Sequence, residues 1–368
     1  VCSSDLTKQL LKEGGIAGVI LPSSILSNSG IYTKAREIIL QYFDIVAITE
    51  LGSNTFMATN TNTVVLFLRR RDNYFAANTK SAVETYFRTL NDVTINGIET
   101  PVSKYVAHVW DGLDYVDYVT LLQKSPNDKV KAHEIYAEYK KKISAKSDAK
   151  LYEAVLSIEV EKLLYFILAY PQKVVIVRSG EKDVEKRFLG YEFSNRRGNE
   201  GIHAIQKGKN IDECTQLFDI NSWDNPDKAS TYVYRAFKGD CVSPIAENMQ
   251  SHISRMSLVD MLSFERDTFE KFISTTAKKK VKFSDKWEHV RIPNSIDKIN
   301  GSMAKIPESE ILIAGKYPVY TQDIQNNSAG FSNNTNPITD VPVVLFGDHS
   351  CAVKFIDQPF FRGARSEE

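Results

Sequence analysis

The sequence predicts three textures in order: an α/β unit seen only in its latter half, an α-helical region, and a small, truncated α+β or β-rich module. Three observations carry this. Apolar β-rich runs alternate with a helix-periodic stretch up to about residue 77. Long charged stretches with almost no Gly or Pro then run to Pro171, and from Trp287 onward short strands are separated by turns rich in Gly, Pro and Asn.

The elements follow in sequence. "GGIAGVILPSSIL" from Gly14 is a Gly turn and an apolar run ending at Pro22, the pattern of a buried strand in a mostly parallel sheet. "GIYTKAREIILQYF" places Ala35, Ile38, Ile39 and Tyr42 on one helical face. "DIVAITEL" and "NTVVLFLRRR" are two further strands, which sets residues 7–77 apart as the α/β part. Residues 78–170 are helical. Residues 171–244 form a connector with a strand, "KVVIV", and the turn-rich "FLGYEFSNRRGNEGIHAIQKGKN". A helix pair is expected from about Ile245 to Ala277, within a helical linker over 245–285, with Ser257 as cap and Asp260 near the positive helix end. The last part, 286–364, carries short strands such as "GKYPVYTQDI", "PVVLFGDHS" and "AVKFIDQPFF". No internal repeat is visible.

Composition bounds the function. With 368 residues, 42% of them hydrophobic, the chain can bury a core larger than one small domain. No apolar run reaches the roughly 18 residues of a membrane span, and "LLYFILAY" is the buried end of a helix, so no membrane partner is expected. Four Cys, at 2, 214, 241 and 351, lack the C-x-x-C spacing of a metal or redox site and fit a reducing cytoplasm. The 46 basic and 46 acidic residues cancel, so contact with a polyanion must come from a local patch. The ends "CSSDL" and "RSEE" match translations of the two strands of one short adapter oligonucleotide, and the expectation is a natural protein longer at both ends.

The common enzyme signatures are missing from the sequence: no Gly-x-Gly-x-x-Gly, phosphate-loop lysine, His-Glu-x-x-His or Gly-x-Ser-x-Gly. "FGDHSC", with Asp348, His349, Ser350 and Cys351, has three readings: a nucleophile with its base, a polar turn after a strand, or a binding loop. Adjacent residues on an extended chain alternate in direction, which counts against the first. Phe56, in the Ser/Thr/Asn-rich "GSNTFMATNTNT", is either a lid over the core or an aromatic that stacks on a base swung out of a duplex. Arg196 and Arg197 in "SNRRGNEG" are a solvated turn or a phosphate clamp. Lys279, Lys280 and Lys282 are a solvated run or sequence-independent phosphate contacts.

Taken in order, "GGIAGVILPSSILSNSGIYTKAREIILQYFDIVAITELGSNTFMATNTNTVVLFLRR" resembles the later half of the N6-adenine DNA methyltransferase domain of type I restriction-modification M subunits and their fused relatives. The likeness rests on the "G-x-x-G-x-I-L-P" strand, the "A-R-E" helix and the "F-x-x-T-x-T-x-T" loop. "RFLGYEFSNRRGNEGI" is similar to the segment that follows that domain. The tail, with "GKYPVY" and "VVLFGDH", resembles a target recognition domain of the type I specificity subunit.

The resemblance implies the C-terminal half of a methyltransferase-like sheet joined to a DNA-reading module, with S-adenosylmethionine as cofactor and adenine N6 as methyl acceptor in the full protein. It also implies double-stranded DNA as partner, with restriction and specificity subunits beside it. The family's Asn-Pro-Pro-Tyr and glycine-rich cofactor motif are not in this sequence; Asn336-Pro337 lacks the second Pro and the aromatic. The expectation is therefore no catalytic, cofactor-binding or metal residue here, a base-pocket wall at Phe56, and DNA contacts from Lys279, Lys280, Lys282, Lys316, Tyr317, Tyr320, Gly347, Asp348, His349 and Lys354. The rival expectations are a non-catalytic DNA-specificity or scaffolding subunit and, from another class, a hydrolase centred on His349.

Overall fold

The computed structural model describes residues 2–53, 55–56, 61–145, 147–196, 199–266, 268–276, 305–323, 328–346, 350 and 353–363. It contains two compact units, Val1–Lys280 and Val281–Glu368.

The strands of the first unit are β1 (Ile16–Pro22), β2 (Phe43–Leu51), β3 (Thr63–Arg70), β4 (Lys173–Arg178), β5 (Tyr191–Arg196), β6 (Asn199–Ala204) and β7 (Ile253–Ser257). Five of them form one sheet in the order β1-β3-β2-β4-β7, while β5 and β6 make a separate hairpin. β1 and β2 both run antiparallel to β3 and so share a direction. β4 is parallel to β2, and β7 is antiparallel to β4. The expectation of a mostly parallel sheet is thereby corrected. β3 begins at Thr63, soon after β2 ends at Leu51, and so short a connection favours a strand that turns back and pairs antiparallel.

β1 also departs from the buried strand its apolar run predicted. It stands at the sheet edge with Ile16 and Ile20 exposed, whereas β2, in mid-sheet, is buried along most of its length.

Both faces of the sheet are covered. One packs Ile45, Ile48, Val64, Leu66 and Leu68 against the helix Ile31–Tyr42 and a helical array. That array comprises Phe75–Thr89, Pro101–Val109, Tyr115–Leu122, Asp128–Ala132, Glu134–Lys142 and Asp148–Ala169. The opposite face sets Val46, Ala47, Val175 and Val177 against Phe188 and the helix Ala229–Phe237. Several helix starts are legible in the residues: Asp114 and Asp117 form a reciprocal capping box, and Ser147 accepts from the Lys150 N–H.

The array closes around a buried carboxylate. Glu159 accepts from the Tyr105 hydroxyl at 2.8 Å, the Tyr118 hydroxyl at 2.8 Å, Trp110 Nε1 at 3.2 Å and the Tyr139 hydroxyl at 2.5 Å. Lys162, equally buried, donates to the Tyr139 hydroxyl at 2.7 Å and lies 4.0 Å from Glu159 Oε1. Donors from three separate helices or their ends thus meet on one side chain of a fourth, which satisfies a charge that would otherwise be too costly to bury. Burial, and then the Glu159 charge, hold the Tyr105 and Tyr118 phenols well above their ordinary range.

The helix pair expected from Ile245 to Ala277 does not form. β7 occupies part of that span, the helix Leu258–Met261 has one turn, and beyond Leu262 the described chain is extended or turned. Ser257 stands at the N-cap position, but its hydroxyl accepts from Lys173 Nζ instead of capping. Tertiary contacts override local helix preference here. Phe264, Phe269 and Ile273 are buried in the main core, and Arg36 and Lys271 pin the segment.

In the second unit the strands are β8 (Lys305–Ile306), β9 (Tyr317–Tyr320), β10 (Gly330–Ser332), β11 (Val343–Phe346), β12 (Val353–Ile356) and β13 (Phe361–Gly363). A four-stranded sheet runs β10-β9-β13-β8, and β11 pairs with β12 as a hairpin. Among its described residues Ile306, Val319 and Phe361 form a core, with Ile311 and Tyr317 against them.

Candidate base pocket at the strand ends and candidate DNA contacts

Because β1, β2 and β4 run the same way, their C-terminal ends open on one side of the sheet, where open α/β sheets hold their ligands. The loop after β2 stands there, and its Gly52, Ser53, Thr55 and Phe56 are described. Ser179, Gly180 and the helix Lys182–Leu189 follow β4 on the same side.

The loop is held from across the chain. The Gly52 N–H donates to Ser179 Oγ at 3.2 Å, and the Ser179 N–H donates back to the Glu50 carbonyl at 3.1 Å. Thr55, buried, donates its hydroxyl to Glu185 Oε1 at 3.0 Å, and its carbonyl accepts from the Tyr191 hydroxyl at 3.1 Å. Burial, and then the charge of Glu185, raise the Tyr191 phenol above its ordinary value. Phe56, the next residue, is 39% exposed. The ring therefore lies partly in solvent, one residue after an anchored threonine.

Beside the loop a second set of contacts secures the segment 268–276. Arg178 donates through Nε to Glu50 Oε2 at 3.0 Å, through Nη1 to Ser254 Oγ at 3.3 Å, and through Nη2 to the Thr275 carbonyl, while the Thr275 hydroxyl donates to Glu50. Further along, Arg36 is fully buried and donates to the carbonyls of Ile25 (2.8 Å) and Glu270 (2.7 Å). Lys271 lies between Glu37 (2.9 Å) and Glu161 (2.6 Å). The Ala35-Arg36-Glu37 triplet is thus a clamp on residues 270 and 271. Sequence reading singled out the triplet as a motif but placed Arg36 on no buried face, because an arginine among apolar residues carries no sign of the carbonyls it will meet.

The residues present were tested against a cofactor cradle. A Cβ at Gly52 would lie 2.6 Å from the Glu185 carboxyl group, and one at Gly180 would lie 2.7 Å from Val184 Cγ1. Both strand-end glycines are covered by the protein's own side chains, so neither offers open backbone to a nucleoside or phosphate. The described residues do not fit S-adenosylmethionine at these two turns, and no step through it is derived.

In the second unit Lys316 is exposed, its N–H donating to Asn333 Oδ1 and its ammonium lying 5.0 Å from the centre of the Tyr317 ring. Tyr317 packs edge-on to Phe361, and Tyr320 packs edge-on to Phe360. Three positions apart on β9, the two tyrosines face opposite sides of the strand. Lys354 is on β12, in the other sheet, its ammonium pulled below its ordinary value by burial and partly restored by Asp323. The structure brings Lys316 and Tyr317 together, turns Tyr320 to the opposite side of β9, and sets Lys354 on β12 within electrostatic reach of Asp323. Lys279, Lys280, Lys282, Gly347, Asp348 and His349 lie outside the described residues, as do Arg197 and Cys351. Ser350 is in a turn between β11 and β12.

Comparison with known proteins adds one family. The model of the N-6 DNA Methylase family matches residues 6–146, under half of the chain, taking in β1 to β3, the Phe56 loop and the helices as far as Glu134–Lys142. One similar solved chain comes from a structure described as the structural basis underlying complex assembly and conformational transition of the type I R-M system. It is 22% identical over 16% of this chain and 12% of that chain, with a TM-score of 0.16, an overlap too small to support an argument about fold. No curated protein matches.

Proposed function

We propose that this chain is the base-pocket wall and DNA-reading part of an adenine-specific DNA methyltransferase from a restriction-modification system, with a fused specificity module at its C-terminal end. The observation that carries this is the loop after β2: it falls within the N-6 DNA Methylase match, at the C-terminal ends of the parallel strands, and presents Phe56 from a pinned backbone. Every base offers a π-face, so an aromatic held in this way suits an adenine swung out of the duplex. In the whole protein the reaction is methyl transfer from S-adenosylmethionine to adenine N6. That step needs donor and acceptor aligned within one rigid unit, and the cofactor pocket and amine-binding residues are supplied outside this chain.

The second unit reads DNA in this proposal, through Lys316, Tyr317, Tyr320, Gly347, Asp348, His349 and Lys354, with Lys279, Lys280 and Lys282 on phosphates. Asp accepts from a cytosine amino group, and His meets a guanine edge or a phosphate. Restriction and specificity subunits are the further partners, and the cytoplasm is the compartment.

The chain is to be titrated with duplex DNA at rising salt and with S-adenosylmethionine in a calorimeter. DNA affinity is expected to weaken at least about tenfold between about 50 and 200 mM salt, with no saturable cofactor binding. A salt-independent DNA affinity would remove the phosphate contacts, and micromolar cofactor affinity would overturn the division of labour.

A further inference from the structure

We propose that Glu185 is a positioning residue for Phe56: it fixes the loop from which the ring meets the target base. This rests on the base-pocket reading above and goes beyond it, because Glu185 lies outside the N-6 DNA Methylase match and 130 residues along the chain from Thr55.

Glu185 is buried, on a helix whose next turn carries Phe188 and Leu189 into the core. Phe188 is stacked on His252 at 4.4 Å, and His252 Nδ1 is 2.7 Å from the Arg178 carbonyl, so the platform under Glu185 is tied to the end of β4. From that platform the carboxylate makes two contacts with the loop. It accepts the Thr55 hydroxyl, and it packs on the bare backbone of Gly52 so closely that any side chain at 52 would collide with it. Tyr191, just past the same helix, holds the Thr55 carbonyl from its other side. Thr55 is thereby fixed at both its side chain and its main chain.

The Phe56 backbone follows directly on that anchored residue. A small displacement of a stacking group lowers the rate of a positioned reaction far more than it lowers binding. With Ala at 185 the loop keeps its Gly52–Ser179 bond and its Tyr191 bond but loses the carboxylate that accepts the Thr55 hydroxyl and covers Gly52. Gln at 185 keeps an oxygen acceptor for the Thr55 hydroxyl and so serves as the conservative control.

Two readouts test this. In the chain itself, 4-fluorophenylalanine is placed at position 56 and its ¹⁹F resonance compared in parent, Glu185→Gln, Glu185→Ala and Thr55→Val proteins, each first checked for folding by circular dichroism. Parent and Glu185→Gln should share one narrow line, and Glu185→Ala and Thr55→Val should shift or broaden it; should Glu185→Ala fail to fold, Thr55→Val decides. An unchanged line in the folded variant removes Glu185 as the positioning group.

The second readout is methyl transfer to unmodified plasmid DNA by the complete protein that carries this chain. Glu185→Ala should lower kcat about tenfold or more with KM for DNA nearly unchanged, and Glu185→Gln should restore most of it. A moved line with unchanged kcat would overturn the role in the reaction. A parent protein that transfers no methyl group would instead sink the base-pocket reading, and the ¹⁹F comparison would still decide whether Glu185 sets the loop.

Discussion

Two carboxylates, Glu159 and Glu185, are buried in the same unit, and each is met by side chains distant in sequence. Glu159 sits inside the helical array, where three tyrosines, a tryptophan and Lys162 converge on it or on one another. Every one of those groups belongs to a helix or a helix end packed in the core. Glu185 sits at the sheet's C-terminal rim, where it accepts from a threonine of a loop whose next residue is exposed. The first arrangement joins helices that could not otherwise bury a charge. The second transfers the rigidity of a helix to a loop that reaches solvent. A buried polar contact serves the fold when all its members lie within the core, and serves a site when one member directly precedes an exposed side chain in a loop.

That contrast predicts unequal costs. Glu159→Ala leaves Lys162 buried without its counter-charge and three phenols and an indole without an acceptor. It should lower stability by about 3–5 kcal/mol, read from denaturant unfolding. Glu185→Ala should cost about 1–2 kcal/mol by the same measurement. Equal costs would erase the distinction, and a larger cost at Glu185 would make it a fold residue first.

Arg36 sharpens the comparison from the side of the segment 268–276. Arg36→Ala orphans the carbonyls of Ile25 and Glu270, and a loss of about 2–3 kcal/mol is expected, together with faster hydrogen exchange at residues 270–275. Exchange confined to the helix Ile31–Tyr42 would show that the clamp does not hold that segment.

The smallest effect belongs to Asp240, on a surface turn, where the Ser243 hydroxyl and then the N–H groups of Ser243 and Val242 hold the carboxyl down to about 2 from 3.8. A depressed folded value means the contribution is complete above pH 3.8 and is lost as pH falls towards 2. The stability difference between the parent and Asp240→Asn should therefore shrink across that window, followed as unfolding midpoints against pH. A difference independent of pH would place its origin in shape and not in charge.

Much of the first unit was legible because its signals are local. The apolar runs at Ile16, Phe43, Thr63 and Lys173 became strands, and the Gly- and Pro-poor stretch became helices. The segment after Ser257 was misread because "LVDMLSFERDTFEKFI" has helix-forming residues and a cap, while the contacts that extend it come from Arg36, Glu37 and Glu161, far away in sequence. At the candidate site, Phe56 was visible as an aromatic in a Thr-rich loop. Glu185 had no signal, since a glutamate on a charged helix is indistinguishable in sequence from a solvated one.

Sequence alone determined the strands and helices up to Arg178, the resemblance to an N6-adenine methyltransferase half, and the choice of Phe56, because periodicity and motif spacing depend on near neighbours along the chain. Tertiary structure alone decided that β3 inserts antiparallel between β1 and β2, that Glu159 gathers donors from three other helices, and that Glu185 and Tyr191 hold Thr55. Those outcomes depend on which distant groups meet once the chain has buried its apolar faces, and a buried carboxylate is satisfied only by whatever donors that packing brings to it.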